Sequence, residues 1–189
     1  MPRLSKTRYA VLGALTVRPG SGYDIKKLCD NTLSFFWAEN YGQIYPVLKQ
    51  LEEEGLVSKE TEMTEGKPAR NVYHITDEGR AELNDWLLLP VEPSTHRMEL
   101  ILKLVFAADI PASNLICKLE EKKAKEEKTL QYLEEAEGRL KDGPQDRPGL
   151  HLWLAGISMG RHLSKASLDW CEETIAMLQQ HVSDNERTE

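Results

Sequence analysis

Between Tyr41 and Ile75 the chain changes its hydrophobic period once, and that change does most to limit what it can fold into. Ile44, Val47, Leu48 and Leu51 recur at steps of three and four, the stripe of a buried helix face, and Gly55 stops it. Two short extended runs follow, Leu56 to Glu62 and Asn71 to Ile75, around Thr64-Glu65-Gly66-Lys67-Pro68-Ala69-Arg70, whose Gly and Pro mark a turn. A helix running straight into a two-stranded hairpin with a basic tip is the result.

Upstream, Thr7 to Val17 reads as a first helix with Val11, Leu12 and Leu15 on one side, ended by Arg18-Pro19-Gly20. Ser21-Gly22-Tyr23-Asp24 is a capping box, and Ile25, Leu28 and Cys29 supply the buried stripe of a second helix. Asn40 and Gln43 make another capping pair, opening a third helix from about Tyr41 to Glu54. Pro46 inside it removes a backbone bond and crowds the carbonyl of Gly42, so a bend is expected there. After the hairpin, Thr76-Asp77-Glu78 opens a fourth helix with Leu83, Trp86 and Leu87 inward, and Pro90-Val91-Glu92-Pro93 is a short stiff linker. The order helix, helix, helix, strand, strand, helix is that of a winged helix-turn-helix with one additional helix, occupying residues 1–89.

Residues 90–189 are almost wholly helical in pattern: Ser94 to Phe106, Ala112 to Lys141, a break at Gly143-Pro144, and a long helix from Leu150 to Val182. In the last, Leu150, Leu154, Ile157, Leu168, Cys171, Ile175, Leu178 and Val182 form a seam interrupted by Arg161 and Ser164. The winged unit cannot cover all of that seam, which points to a second copy of the chain. The Glu/Lys run from Glu120 to Lys128 is an exposed face with i,i+4 pairs. The expected class is mainly α: an N-terminal winged helix-turn-helix with a two-stranded wing, then an all-α dimerisation domain.

Hydrophobic residues at 40% and charged residues at 29% are those of a globular chain, and no apolar run reaches the roughly 18 residues of a membrane span. The N-terminus lacks an apolar signal segment, so a cytoplasmic protein is expected, without membrane partners. Cys29, Cys117 and Cys171 are far apart and join no Cys/His cluster, which argues against zinc and structural disulfides. No phosphate loop follows a strand, no nucleophile elbow appears and no carboxylate pair is set by spacing, so neither an enzyme nor a cofactor is expected.

On the third helix, Gly42, Tyr45, Pro46, Lys49, Gln50 and Glu53 fall opposite the apolar stripe. Small, aromatic and hydrogen-bonding side chains at a helix start suit the major groove: Gln43 can pair with an adenine edge, Tyr41 and Tyr45 can meet phosphate or a thymine methyl, and Lys49 can hold phosphate. Lys67 and Arg70 suit phosphate from the hairpin. The competing reading of all six is an ordinary solvated surface. The net charge of −7 weighs against a polyanionic partner, and residues 1–89, with 11 Lys and Arg against 13 Asp and Glu, are less acidic than the rest but not basic. What counts is the face presented, and Arg3, Lys6, Arg8, Lys26, Lys27, Lys49, Lys67 and Arg70 can converge on one, with Glu52, Glu53 and Glu54 at the far end of the third helix. Phe35, Phe36, Trp37, Trp153 and Trp170 allow either a small-molecule pocket or plain core filling, and His151 and His162 are read as ordinary helical histidines.

The chain resembles the PadR family of transcriptional regulators, in the long form with a C-terminal helical domain. The resemblance rests on Tyr41-Gly42-Gln43-Ile44-Tyr45-Pro46-Val47-Leu48-Lys49-Gln50-Leu51-Glu52 followed by Gly55-Leu56-Val57, and on Gly66-Lys67-Pro68-Ala69-Arg70 leading into Tyr73-His74-Ile75-Thr76 and Gly79-Arg80. Tyr9-Ala10-Val11-Leu12-Gly13, Ser21-Gly22-Tyr23-Asp24 and Glu99-Leu100-Ile101-Leu102-Lys103-Leu104 extend it nearly end to end. It implies a homodimer that represses or activates nearby genes, a repressor being expected here, with third helices in successive major grooves and wings on the backbone or minor groove. A small-molecule effector of unspecified identity is a further partner the resemblance allows. Two-fold symmetry then asks for a roughly palindromic operator. The alternative is a winged-helix protein-interaction module that leaves DNA alone, favoured by the acidic total.

Overall fold

The computed structural model describes residues 6–32, 41–63, 69–92 and 97–186, and the side chains of residues 31, 32, 41 and 184–186 are left aside. The chain divides into two compact units, Met1–Pro93 and Ser94–Glu189.

The first unit is built from α1 (Lys6–Val17), α2 (Gly22–Thr32), a 3₁₀ turn at Tyr41–Gln43, α3 (Ile44–Glu53), β1 (Val57–Glu62), β2 (Arg70–Ile75) and α4 (Asp77–Leu87). β1 and β2 pair antiparallel from Val57 opposite Ile75 to Glu62 opposite Arg70. The architecture is a winged helix-turn-helix. One core serves it: Val11, Leu12 and Leu15 of α1, Ile25 and Cys29 of α2, Ile44, Val47, Leu48 and Leu51 of α3, Val57 and Tyr73 of the hairpin and Leu83 of α4. Burying such a side chain contributes about 1.5–3 kcal/mol, which is why the period-3.6 stripes dictate the packing. Tyr9 and Trp86 stack with ring centroids 4.4 Å apart, fastening α4 to α1.

Local chemistry sets the element ends. Gly55 takes φ +75°, a conformation costly for a side chain, and so turns the chain out of α3. The Thr76 hydroxyl caps α4 by accepting from the Gly79 N–H at 3.1 Å and donates to the Gly55 carbonyl at 2.9 Å. Two expectations change. Leu87 is exposed within this unit, because α4 is in its last turn there and only Leu83 and Trp86 reach the core. Pro46 is the third residue of α3, in the first turn, where a backbone N–H has no helical acceptor to lose; the 3₁₀ turn ahead of it takes the place of a mid-helix bend.

The second unit comprises α5 (Glu99–Val105), α6 (Ala112–Asp142) and α7 (Leu150–Glu186). α6 and α7 form an antiparallel helical hairpin, with Lys123 paired to Glu172 near its open end and Glu137 to Arg161 toward its turn. Leu119, Cys171 and Ile175 are buried between them, with Leu100 and Leu104 of α5 packed alongside. The polar interruptions of the α7 seam are met by α6: Ser164, buried, donates to Glu126 at 3.1 Å, and Arg161 lies 2.5 Å from Glu137. Of the apolar seam, Ile157, Cys171 and Ile175 are buried, and Leu150, Leu154, Leu168 and Leu178 are half-buried. The helix expected over Ser94–Phe106 is described only as α5, since residues 93–96 lie outside the described residues.

Candidate nucleic-acid interface

α2, the 3₁₀ turn, α3 and the hairpin present one surface. The apolar stripe of α3 is spent on the core, which leaves Gln43, Tyr45, Pro46, Lys49, Gln50 and Glu53 exposed. Tyr45 is 63% exposed, and the Lys49 side chain 78%. Gln43 closes the 3₁₀ turn, and its own side chain caps nothing. Tyr41 begins that turn. Asn40, expected as a cap, lies outside the described residues, as do Lys67, Arg3 and the aromatic trio Phe35, Phe36 and Trp37.

The Tyr45 ring lies against the start of α2. A Cβ added to Gly22 would stand 2.6 Å from Cε1 of Tyr45, so the glycine is what lets the ring come down on that helix. One residue before, Ser21 forms the expected capping box: its N–H donates to Oδ2 of Asp24 at 2.7 Å, its hydroxyl donates to the same oxygen at 2.6 Å, and the Asp24 N–H donates to the Ser21 hydroxyl oxygen at 3.4 Å. Arg70 of β2 reaches across and donates from Nη2 to that same Oδ2. Partial burial works to raise the Asp24 pKa, but the Ser21 hydrogen bonds and the Arg70 charge outweigh it and hold the carboxyl below its ordinary range. Gly20 bonds to Tyr73 in both directions, at 3.2 and 3.0 Å, joining the turn before α2 to the same strand.

Glu52 and Glu53, which end α3, and its C-cap Glu54 are each matched by a cation. Glu52 meets Lys59 of β1 at 2.7 Å, Glu53 meets Lys49 at 3.7 Å, and Glu54 meets Arg8 of α1 at 2.7 Å. Gln50 also donates to Glu54 at 2.7 Å. The Lys49–Glu53 pair is fully at the surface and of little energetic weight, so Lys49 can leave it at small cost.

Arg8 departs from the expected basic surface. Its side chain is only 7% exposed, held by Glu54 and, at 2.5 Å, by Glu82 of α4. Burial alone would lower its pKa, but the two carboxylates raise it, while the Arg8 hydrogen bonds, first among the causes, lower that of Glu54. It is an internal cation, unavailable to phosphate. Lys6, likewise, lies 3.3 Å from Glu92. Periodicity puts 8, 12 and 15 on the buried stripe of α1, but the partners that keep a cation there come from elsewhere in the chain and leave no local signal; the link between Arg70 and Asp24, residues 46 apart, leaves none either. Among the described residues no group of His, Cys, Asp and Glu is placed to hold a metal ion, and no helix is long and apolar enough to cross a membrane.

Comparison with known proteins matches residues 11–85 to the transcriptional regulator PadR-like family and residues 96–179 to the virulence activator alpha C-terminal family. The probable transcriptional regulator Rv1176c of Mycobacterium tuberculosis is 27% identical over 184 residues, 91% of this chain and 97% of that protein. The negative transcriptional regulator PadR of Bacillus subtilis is 40% identical over 101 residues, 52% of this chain and 55% of that protein. The crystal structure of that PadR with operator DNA covers 91% of this chain and 98% of its own at a TM-score of 0.76 and 29% identity, and the protein has also been solved with p-coumaric acid. The PadR-like regulator BC1756 of Bacillus cereus superimposes with a TM-score of 0.79 at 26% identity, covering 94% of this chain and 98% of its own. The chain therefore carries a PadR-like transcriptional-regulator domain in its winged unit, followed by a virulence activator alpha C-terminal domain in its helical unit.

Proposed function

We propose that the chain is a homodimeric DNA-binding repressor. Residues 1–89 form its reading unit and residues 90–189 its dimerisation unit. The third helix enters the major groove, with Gln43 and Tyr45 at base edges and Tyr41 and Lys49 at the flanks. Lys67 and Arg70 rest the hairpin on the backbone or minor groove. The observation that carries this reading is the state of the α3 surface: its outer face is exposed, and all three glutamates at its end have cationic partners, so an acidic chain still offers a face that a polyanion can approach.

Dimerisation is supported by a second apolar stripe. Leu152, Met159, Leu163 and Met177 of α7 stay exposed in the helical unit at heptad-compatible spacing, on a face that the intramolecular seam does not use. A two-fold dimer reads half-sites about one helical turn apart, or a multiple of it, which is why the operator is proposed to be roughly palindromic. Repression follows the B. subtilis relative, a negative regulator, and a small aromatic acid as effector follows its complex with p-coumaric acid. As a DNA-binding regulator it acts in the cytoplasm.

The test is selection of bound fragments from genomic DNA, with and without candidate aromatic acids. A recovered site should show two-fold symmetry, and its binding should fall with salt at a slope of about −0.9 per phosphate neutralised. Recovery of no fragment above background at low salt, with a partner protein co-purifying instead, would favour the protein-interaction alternative.

A further inference from the structure

We infer that Asp24 is a positioning residue for DNA binding: it holds the Arg70 guanidinium between the start of α2 and a backbone phosphate, so that Arg70 bridges the two rather than choosing one. The inference rests on the DNA-binding reading above. Three observations carry it. Oδ2 of Asp24 already accepts two hydrogen bonds from Ser21, so the α2 cap is complete without Arg70 and the arginine is an addition to it. The link uses one terminal nitrogen of a group with five N–H donors in a planar fork, and the Arg70 side chain remains 51% exposed. The backbone pairing of Gly20 with Tyr73 fixes the strand that carries Arg70 against the turn that precedes Asp24, so both ends of the ion pair are held by main chain. An exposed arginine ordinarily loses side-chain entropy when it settles on a phosphate; one already oriented loses less.

The idea makes a prediction of unusual sign. By charge alone, removing a carboxylate from a DNA-facing surface should tighten binding. Positioning predicts that Asp24→Asn, which keeps an oxygen to accept from Ser21, weakens it.

The experiment measures fluorescence anisotropy of a labelled mixed-sequence duplex across a salt series, with thermal unfolding of each variant alongside. Asp24→Asn should bind about tenfold more weakly, with a salt slope shallower by about 0.9. Arg70→Ala should lose a similar amount, and Asp24→Asn should add nothing in that background. Arg70→Lys, which disturbs no cap, keeps the charge but lacks the rigid fork that holds one N–H on Asp24 while aiming others at phosphate, and should behave more like Arg70→Ala than like the wild type. Equal or tighter binding by Asp24→Asn, the same loss whether or not Arg70 is present, or wild-type binding by Arg70→Lys would each overturn the proposal while leaving the DNA-binding reading in place. A wild-type protein with no salt-sensitive complex would instead remove that reading and the proposal with it.

Discussion

On the surface proposed to meet DNA, Gly22 and Tyr45 fit closely enough that an added Cβ would stand 2.6 Å from the ring. Gly22→Ala would push a Cβ into the far end of an exposed side chain, so the ring gives way while the helix stands. Thermal unfolding is expected to change little and DNA affinity to fall severalfold, and in a Tyr45→Ala background the added methyl should have no further effect. A loss of the same size in that background would mean that Gly22 acts through α2 and not through the ring. The charged residues predict a pH response. Asp24 and Glu54 hold their protons less tightly in the fold than ordinary carboxylates do. The unfolded chain therefore takes up protons first as pH falls, and the stability these two groups contribute is full above their ordinary values of 3.8 and 4.5 and is lost as pH drops through the lower folded ones. The thermal midpoint should be nearly level down to about pH 5 and then decline, with a shallower decline in Glu54→Gln; an unchanged decline would contradict the assignment. The capping box was legible because Ser and Asp three apart have a local job. The third donor to Asp24 was not, because it comes from a strand whose position only the folded core determines.

Among elements, α1 is the one whose role sequence reading placed least well. Its apolar stripe was plain, but Arg8 on the same face looked like a surface cation; what keeps it inside is a pair of glutamates from two other helices, a tertiary condition without a local pattern. Truncating it leaves those carboxylates facing each other without a cation. Arg8→Met is expected to destabilise the winged unit by about 1–3 kcal/mol, less than for a fully buried pair because both glutamates keep some solvent. Chemical denaturation checks this, and a variant as stable as the wild type would show the cluster to be dispensable. α3 illustrates the same division. Its stripe and its stop at Gly55 were readable, whereas its first turn proved 3₁₀, since a helix start depends on caps whose competition periodicity does not register. In α7, Arg161 and Ser164 read as breaks in a seam; with Glu137 and Glu126 opposite them they are a polar layer that favours one register of the hairpin, because any slip would strand these groups.

For the whole molecule, the family resemblance was visible in the motifs around Tyr41–Val57 and Gly66–Thr76. The surface that would join two copies was not. Part of the seam expected to need a partner, at Cys171 and Ile175, packs on α6, and a different face of α7 remains exposed, a distinction that requires knowing which face α6 takes. If two copies meet there, Leu163→Glu should shift sedimentation from dimer to monomer and weaken operator binding, while the fold of each chain persists; a dimer undisturbed by that charge would place the contact elsewhere. The claim on which the account stands is that the outer face of α3 lies against a duplex. It is tested most directly by replacing Tyr45 with a photoreactive phenylalanine derivative and irradiating the protein with labelled DNA, using the same replacement at Glu121 on the exposed face of α6 as control. The account predicts a crosslink from position 45 that fades as salt rises and none from position 121. Crosslinking from position 121 alone, or from neither under conditions where the duplex is bound, would contradict it.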